Sequence, residues 1–172
     1  MATMGSHGSS HSSSYFCIFL QKVGIILWAA EYDILEKEFK GGIKMVHDIK
    51  FIQEVLRGLD AQTGNDTSDI PVEVDSWLDS FGIVAQYESY DYDEDFYPIG
   101  FKFSKAITKC DTEALVETIK HEYAHYIHAT VRKSQSAGKH DQEFKEIVIS
   151  LGSTNYGQTC TAHIANQLAA LK

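Results

Sequence analysis

The chain has 172 residues, 44% of them hydrophobic and 23% charged, the composition of a globular protein with one domain's worth of core. Fifteen Lys and Arg stand against twenty-four Asp and Glu, a formal net charge of −9 that excludes a large phosphate-binding surface. The three cysteines, Cys17, Cys110 and Cys160, are odd in number and far apart, so neither a disulfide framework nor a Cys-x-x-Cys metal knuckle is expected.

Residues 1–14 are rich in Gly, Ser and His and read as a leader appended for expression, so His7 and His11 carry no functional weight. Residues 15–30 are apolar but contain Gln21 and Lys22, and they fall short of the ~20 residues that span a bilayer. No Lys or Arg precedes Lys22, so the basic start of a signal peptide is missing. The expectation is a helix continuing to Phe39 and closed by Gly41-Gly42, with no membrane span and a cytoplasmic location. Met45 is a natural start point, which divides the chain into an N-terminal segment, 15–44, and a domain, 45–172.

Within that domain, Ile49, Ile52, Val55, Leu56 and Leu59 recur at helical spacing, and the polar run 62–69 ends the helix as a loop. His47, beside Asp48, reads as a surface or capping histidine. Pro71-Val72-Glu73-Val74 alternates as a strand does, and residues 82–87 read as another. The acidic, tyrosine-rich block 88–95 lacks the glycine and distal Glu of a twelve-residue calcium loop and reads as a solvated hairpin or loop. Residues 99–107 alternate as a strand, with Lys102 and Lys105 turned to solvent. As an edge strand this stretch would hydrogen-bond an extended peptide; as a core strand it would only pack.

The chain's chemistry centres on His121-Glu122-Tyr123-Ala124-His125. Residues i and i+4 share one helix face, about 6 Å apart at roughly 1.5 Å rise per residue, so two imidazoles at this spacing bind one Zn²⁺. Glu122 then reaches a metal-activated water as general base. Roughly 0.02–0.03 accidental matches to this motif are expected in a chain of this composition. Asp111 supplies an N-cap, Glu113 lies in the first turn, and no Gly or Pro interrupts residues 112–133. Leu115, Ile119 and Tyr126 on one flank of the histidine stripe, with Val116, Tyr123 and Ile127 on the other, make this a buried helix.

Catalytic zinc takes three protein ligands and keeps one open position. His128 lies on the same face but about 10 Å from His121 along the axis, too far to join it. The metzincin extension fails, because His128 stands where Gly is needed and Val131 where the last His is needed. His140 is the best third ligand, following the polar loop 134–139 and opening a helix marked by Phe144, Ile147, Val148 and Leu151 and ended by Gly152. Glu143 and Glu146 are the alternatives. Ile164, Leu168 and Leu171 mark one more short helix. A second electrophile for the oxyanion has candidates in Tyr123 and Tyr156, neither with motif support, and both stay unassigned.

The strand at 99–107, the His-Glu-x-x-His helix from Asp111 to His125, His140-Asp141-Gln142-Glu143-Phe144 and Leu151-Gly152 together resemble the SprT-like metalloprotease domain, the group that includes spartan-type proteases. The resemblance covers roughly residues 47–152, with its specific matches in 99–152. It implies an α+β, zincin-like metalloprotease fold, with several helices on a small sheet and the motif on a central helix. It also implies His121, His125 and His140 as ligands of one zinc per chain and Glu122 as catalytic acid/base of a peptidase acting on proteins. Many members also carry a Cys-rich zinc ribbon or another DNA-binding region; this chain has neither. Nucleic-acid contact is therefore expected to be weak, through Lys102/Lys105/Lys109 and Arg132/Lys133/Lys139. The rival expectations are a zinc-bearing adaptor with an acidic, tyrosine-rich binding surface, and a metallohydrolase of small non-peptide substrates.

Overall fold

A computed structural model describes residues 47–171 except 94, 135, 137 and 156–161; the expected helix in residues 15–39, Tyr156, Cys17 and Cys160 lie outside the described residues. What is described is an α+β unit with five α-helices and a three-stranded sheet.

Helix α1 spans Ile49–Thr63 and starts where the Asp48 side chain accepts from the Phe51 N–H at 3.0 Å. Ile52, Val55, Leu56 and Leu59 form its buried face. Gly64 ends it in the left-handed region, φ 75°, donating to the Asp60 carbonyl at 2.7 Å. His47 is buried rather than at the surface: its ring lies 4.5 Å from that of Phe51, and its N–H donates to the Thr108 carbonyl. The shelter of α1 thus overrides the local polarity of His47-Asp48.

Strand β1, Val72–Asp75, leads directly into a short helix α2, Ser76–Ser80, capped by Asp75. Strands β2, Ala85–Tyr92, and β3, Asp95–Ser104, form a hairpin. The sheet order is β1-β3-β2, with β3 parallel to β1 and antiparallel to β2. Of the two alternatives for residues 99–107, edge strand or core strand, the sheet holds the core one. The strand begins earlier and ends at Ser104, and its residues 101–103 are paired on both sides, with Phe101 and Phe103 fully buried there. β2 is an outer strand. It also runs farther than expected, taking up most of the acidic block, since Tyr90 stacks on Tyr97 across the hairpin at 5.1 Å.

Helix α3, Thr112–Tyr126, packs against α1, β2 and the later helix α4, Gln142–Ser150. Asp111 caps it, accepting from the Ala114 N–H at 2.8 Å. Leu115, Val116, Ile119, Tyr123, Tyr126 and Ile127 are all buried, both expected flanks at once. Each such aliphatic side chain contributes roughly 1.5–3 kcal/mol by leaving water. The Tyr123 hydroxyl donates to Asp60 Oδ1 at 2.8 Å and lies 2.8 Å from Thr63 Oγ1, tying α3 to α1. That contact occupies Tyr123 structurally and removes it as an oxyanion donor.

The expected uninterrupted helix to residue 133 changes character after Tyr126. Residues Ile127–Val131 widen into a π turn, in which the Arg132 N–H reaches five residues back to the Ile127 carbonyl at 2.8 Å. The Thr130 hydroxyl meets the Tyr87 hydroxyl of β2 at 2.6 Å on this turn. Helix α5, Ala162–Ala170, buries Ile164 and half-buries Leu168, and Leu171, half-buried, follows its end. Cys110 is buried, its thiol donating to the Ala106 carbonyl at 3.8 Å. Among the described residues no helix is long and apolar enough to cross a membrane.

Candidate metal centre

Helix α3 presents His121 and His125 from successive turns, and their ring centroids lie 5.0 Å apart. His140 comes from the segment before α4, where Asp141 caps the helix by accepting from the Phe144 N–H at 2.9 Å. One nitrogen from each of the three rings falls within 4.8 Å of the others, a set able to hold a metal ion. His125 Nε2 and His140 Nε2 are 3.1 Å apart. A tetrahedral ion with ~2.0–2.1 Å bonds to nitrogen spaces its ligands by roughly 3.3–3.4 Å, so the pair is already close to ligand spacing.

His121 supplies a sharper test of fit. Its ring is fully buried, and Nδ1 donates to the Asn155 carbonyl at 2.8 Å. That bond places the proton on Nδ1 and leaves the Nε2 lone pair facing its two partners. Nε2 is a buried nitrogen with no hydrogen-bond partner among the described residues. Such an atom is costly to bury unless something coordinates it, and the metal-ligating role fits. Burial, more than the neighbouring His140 charge, lowers the His121 pKa to about 4, against a weaker upward pull from Asn155. Burial, followed by the nearby imidazoles, lowers that of His125 to about 3. Both rings stay neutral near pH 7, the form that ligates metal.

Phe144, wholly buried, lies beneath the cluster, its ring 4.5 Å from His125, 4.6 Å from His140 and 5.2 Å from His121. The sequence assigns Phe144 only to the apolar face of its helix. Glu122, 2% exposed, accepts from the Tyr87 N–H of β2 at 2.8 Å, so the outer strand holds the carboxylate of the residue that follows His121. The Tyr87 N–H and the Asn155 carbonyl are backbone groups, and no side-chain pattern announces either.

The other candidates fall elsewhere. His128 is fully buried on the π turn and takes no part in the cluster. Its Nε2 lies 3.4 Å from Asp141 and 3.5 Å from Glu143, within ion-pair reach but without hydrogen-bond geometry. Glu143 is paired with Arg132 at 3.3 Å, and Glu146 accepts from Gln142 at 3.2 Å; neither joins the cluster. Of the basic residues, Lys102 is paired with Glu88, Lys133 with Asp95 and Arg132 with Glu143.

The model of the SprT-like family matches residues 96–164, from β3 through the start of α5. No curated protein and no solved structure matches the chain. The match encloses all three histidines and Glu122, so the likeness to the SprT-like family falls on the residues of the candidate centre.

Proposed function

We propose that the domain is a zinc-dependent endopeptidase, with His121, His125 and His140 holding one Zn²⁺ and Glu122 serving as general base. The observation that carries this reading is a buried carboxylate, held by a strand backbone N–H, on the residue next to one of three converging imidazoles. A metal centre that served only structure has no use for that carboxylate. The SprT-like match supports a metalloprotease-like domain in the same residues.

Bound zinc would act as a Lewis acid, polarising the scissile carbonyl and acidifying the attacking water. The chain's own groups do the rest. Glu122 takes the proton from the water at its carboxylate and returns it to the leaving amine nitrogen. β2 is the outer strand beside Glu122, and an extended substrate would lie along that edge rather than along β3. Contact with nucleic acid would be weak, because three of the six residues in the basic clusters are already neutralised.

The adaptor reading has one observation in its favour: Tyr90, Tyr92 and Tyr97 are exposed on the hairpin. The two readings part at Glu122→Gln. A peptidase variant of this kind keeps its fold and metal and loses cleavage of a responsive protein by about 10²–10⁴-fold. Unchanged cleavage would refute the assignment.

A further inference from the structure

The geometry points to Glu117 and Ser153 as positioning residues that clamp the loop after α4 and thereby fix the tautomer and orientation of His121. The inference rests on the three-histidine metal centre proposed above. Its starting point is that His121 is oriented by a loop carbonyl, and a carbonyl orients a ring only if the loop itself is held.

Five hydrogen bonds hold it. The chain leaves α4 through Gly152, φ 69°, a conformation that glycine adopts without strain. Ser153 N–H then donates back to the Val148 carbonyl at 3.2 Å. The Ser153 hydroxyl donates to Glu117 Oε2, and the same hydroxyl accepts from the Asn155 N–H at 3.0 Å. Lys120 Nζ bridges Glu117 Oε1 and the Gly152 carbonyl, each at 3.2 Å. Ser153 and Asn155 are 4% and 5% exposed, so the bond between them is made away from water, while the Lys120 bond to the Gly152 carbonyl lies at the surface.

Glu117 stands four residues before His121 and therefore on the same face of α3. One turn of the helix carries the anchor of the loop, and the next carries the ring that the loop orients. Helix α4 closes the circuit: His140 enters ahead of its N-terminus, and the loop that reaches His121 leaves from its C-terminus. Without the clamp, the Asn155 carbonyl drifts, Nδ1 loses its acceptor, and the proton redistributes to Nε2, the atom needed as ligand.

The test uses the full chain with Ser153→Ala, Glu117→Ala and the conservative Ser153→Thr, each checked for fold by circular dichroism. Nitrogen-15 NMR of the metal-free protein reads the His121 tautomer. Chelator competition with Zn²⁺ and Co²⁺ reads affinity. The expected result is a single Nδ1–H form in the parent, mixed tautomers in both alanine variants, and a dissociation constant raised about 10–100-fold. Ser153→Thr restores both readouts. If Ser153→Ala does not fold, Glu117→Ala decides. An unchanged tautomer in a folded alanine variant overturns the inference, and so does an unchanged dissociation constant. Neither readout uses a substrate, so absence of peptidase activity does not touch them. A parent that binds no metal fails the proposed function, while the tautomer still reports on the clamp.

Discussion

The three histidines are held by two different kinds of structure. His121 and His125 sit within a fifteen-residue helix that is buried on both flanks. His140 precedes a nine-residue helix and reaches the others only because that helix packs against α3 through Phe144. Helix geometry alone sets the first pair; tertiary packing sets the third. The difference teaches that one half of the centre survives local damage while the other half is only as well placed as the docking of α4.

The largest effect comes from removing the pair itself. His121→Ala and His125→Ala should each abolish metal binding, and His140→Ala should do the same, whereas His128→Ala should leave metal content near one zinc per chain. Elemental analysis of the purified variants decides, and a fully loaded His140→Ala protein would break the comparison by showing that the third position is not needed.

Phe144→Ala should come next. A wholly buried aromatic lost from the core costs about 3–5 kcal/mol. Denaturant unfolding should register this as a lowered midpoint, and metal affinity should fall with it because the floor under all three rings is gone. Retention of full affinity at reduced stability would mean that the rings are held from elsewhere.

Much of this division was legible in the residues. The cap Asp111, the flanking apolar stripes, the His-Glu-x-x-His spacing and the apolar period from Phe144 to Leu151 marked α3 and α4 because each is a local signal. Other features were not local. Nothing in Ile127-His128-Ala129-Thr130-Val131 breaks a helix, so its π turn comes from tertiary contacts such as Thr130 with Tyr87. The length of β2 was hidden by its acidic residues, and cross-strand tyrosine stacking supplies what composition did not suggest. The central place of β3 depends on which strands pair, a matter of topology that alternation cannot encode. The two backbone groups that orient His121 and Glu122 are the extreme case, since every residue carries the same N–H and carbonyl.

Two smaller changes sharpen the contrast. Asp141→Ala removes the cap of α4 and should cost about 0.5–2 kcal/mol, with a measurable loss of metal affinity through His140. The corresponding loss at the more deeply packed α3 should affect thermal stability and leave affinity nearly intact. pH is the gentlest probe. Burial lowers the pKa of His121 to about 4 and that of His125 to about 3, while the unfolded imidazoles take up protons near 6.5. The contribution of these rings to stability is therefore complete above pH 6.5 and is lost as pH falls through about 4 and then 3. Denaturant midpoints of the metal-free protein should drop across that window, and His125→Ala should flatten the profile; an equally steep profile in that variant would place the effect elsewhere.

The tie between Tyr123 and Asp60 has a consequence for how the molecule breathes. Tyr123 lies between the two helix-borne histidines in the chain, and its hydroxyl is anchored on α1. Parting α1 from α3 would leave a half-buried carboxylate and a buried phenol without each other, so the two helices open as one cooperative unit rather than fraying separately. Amide protons of α1, which carries no part of the centre, would therefore exchange with solvent at the same free energy as those around His121 and His125, making them a remote gauge of whether the site is closed.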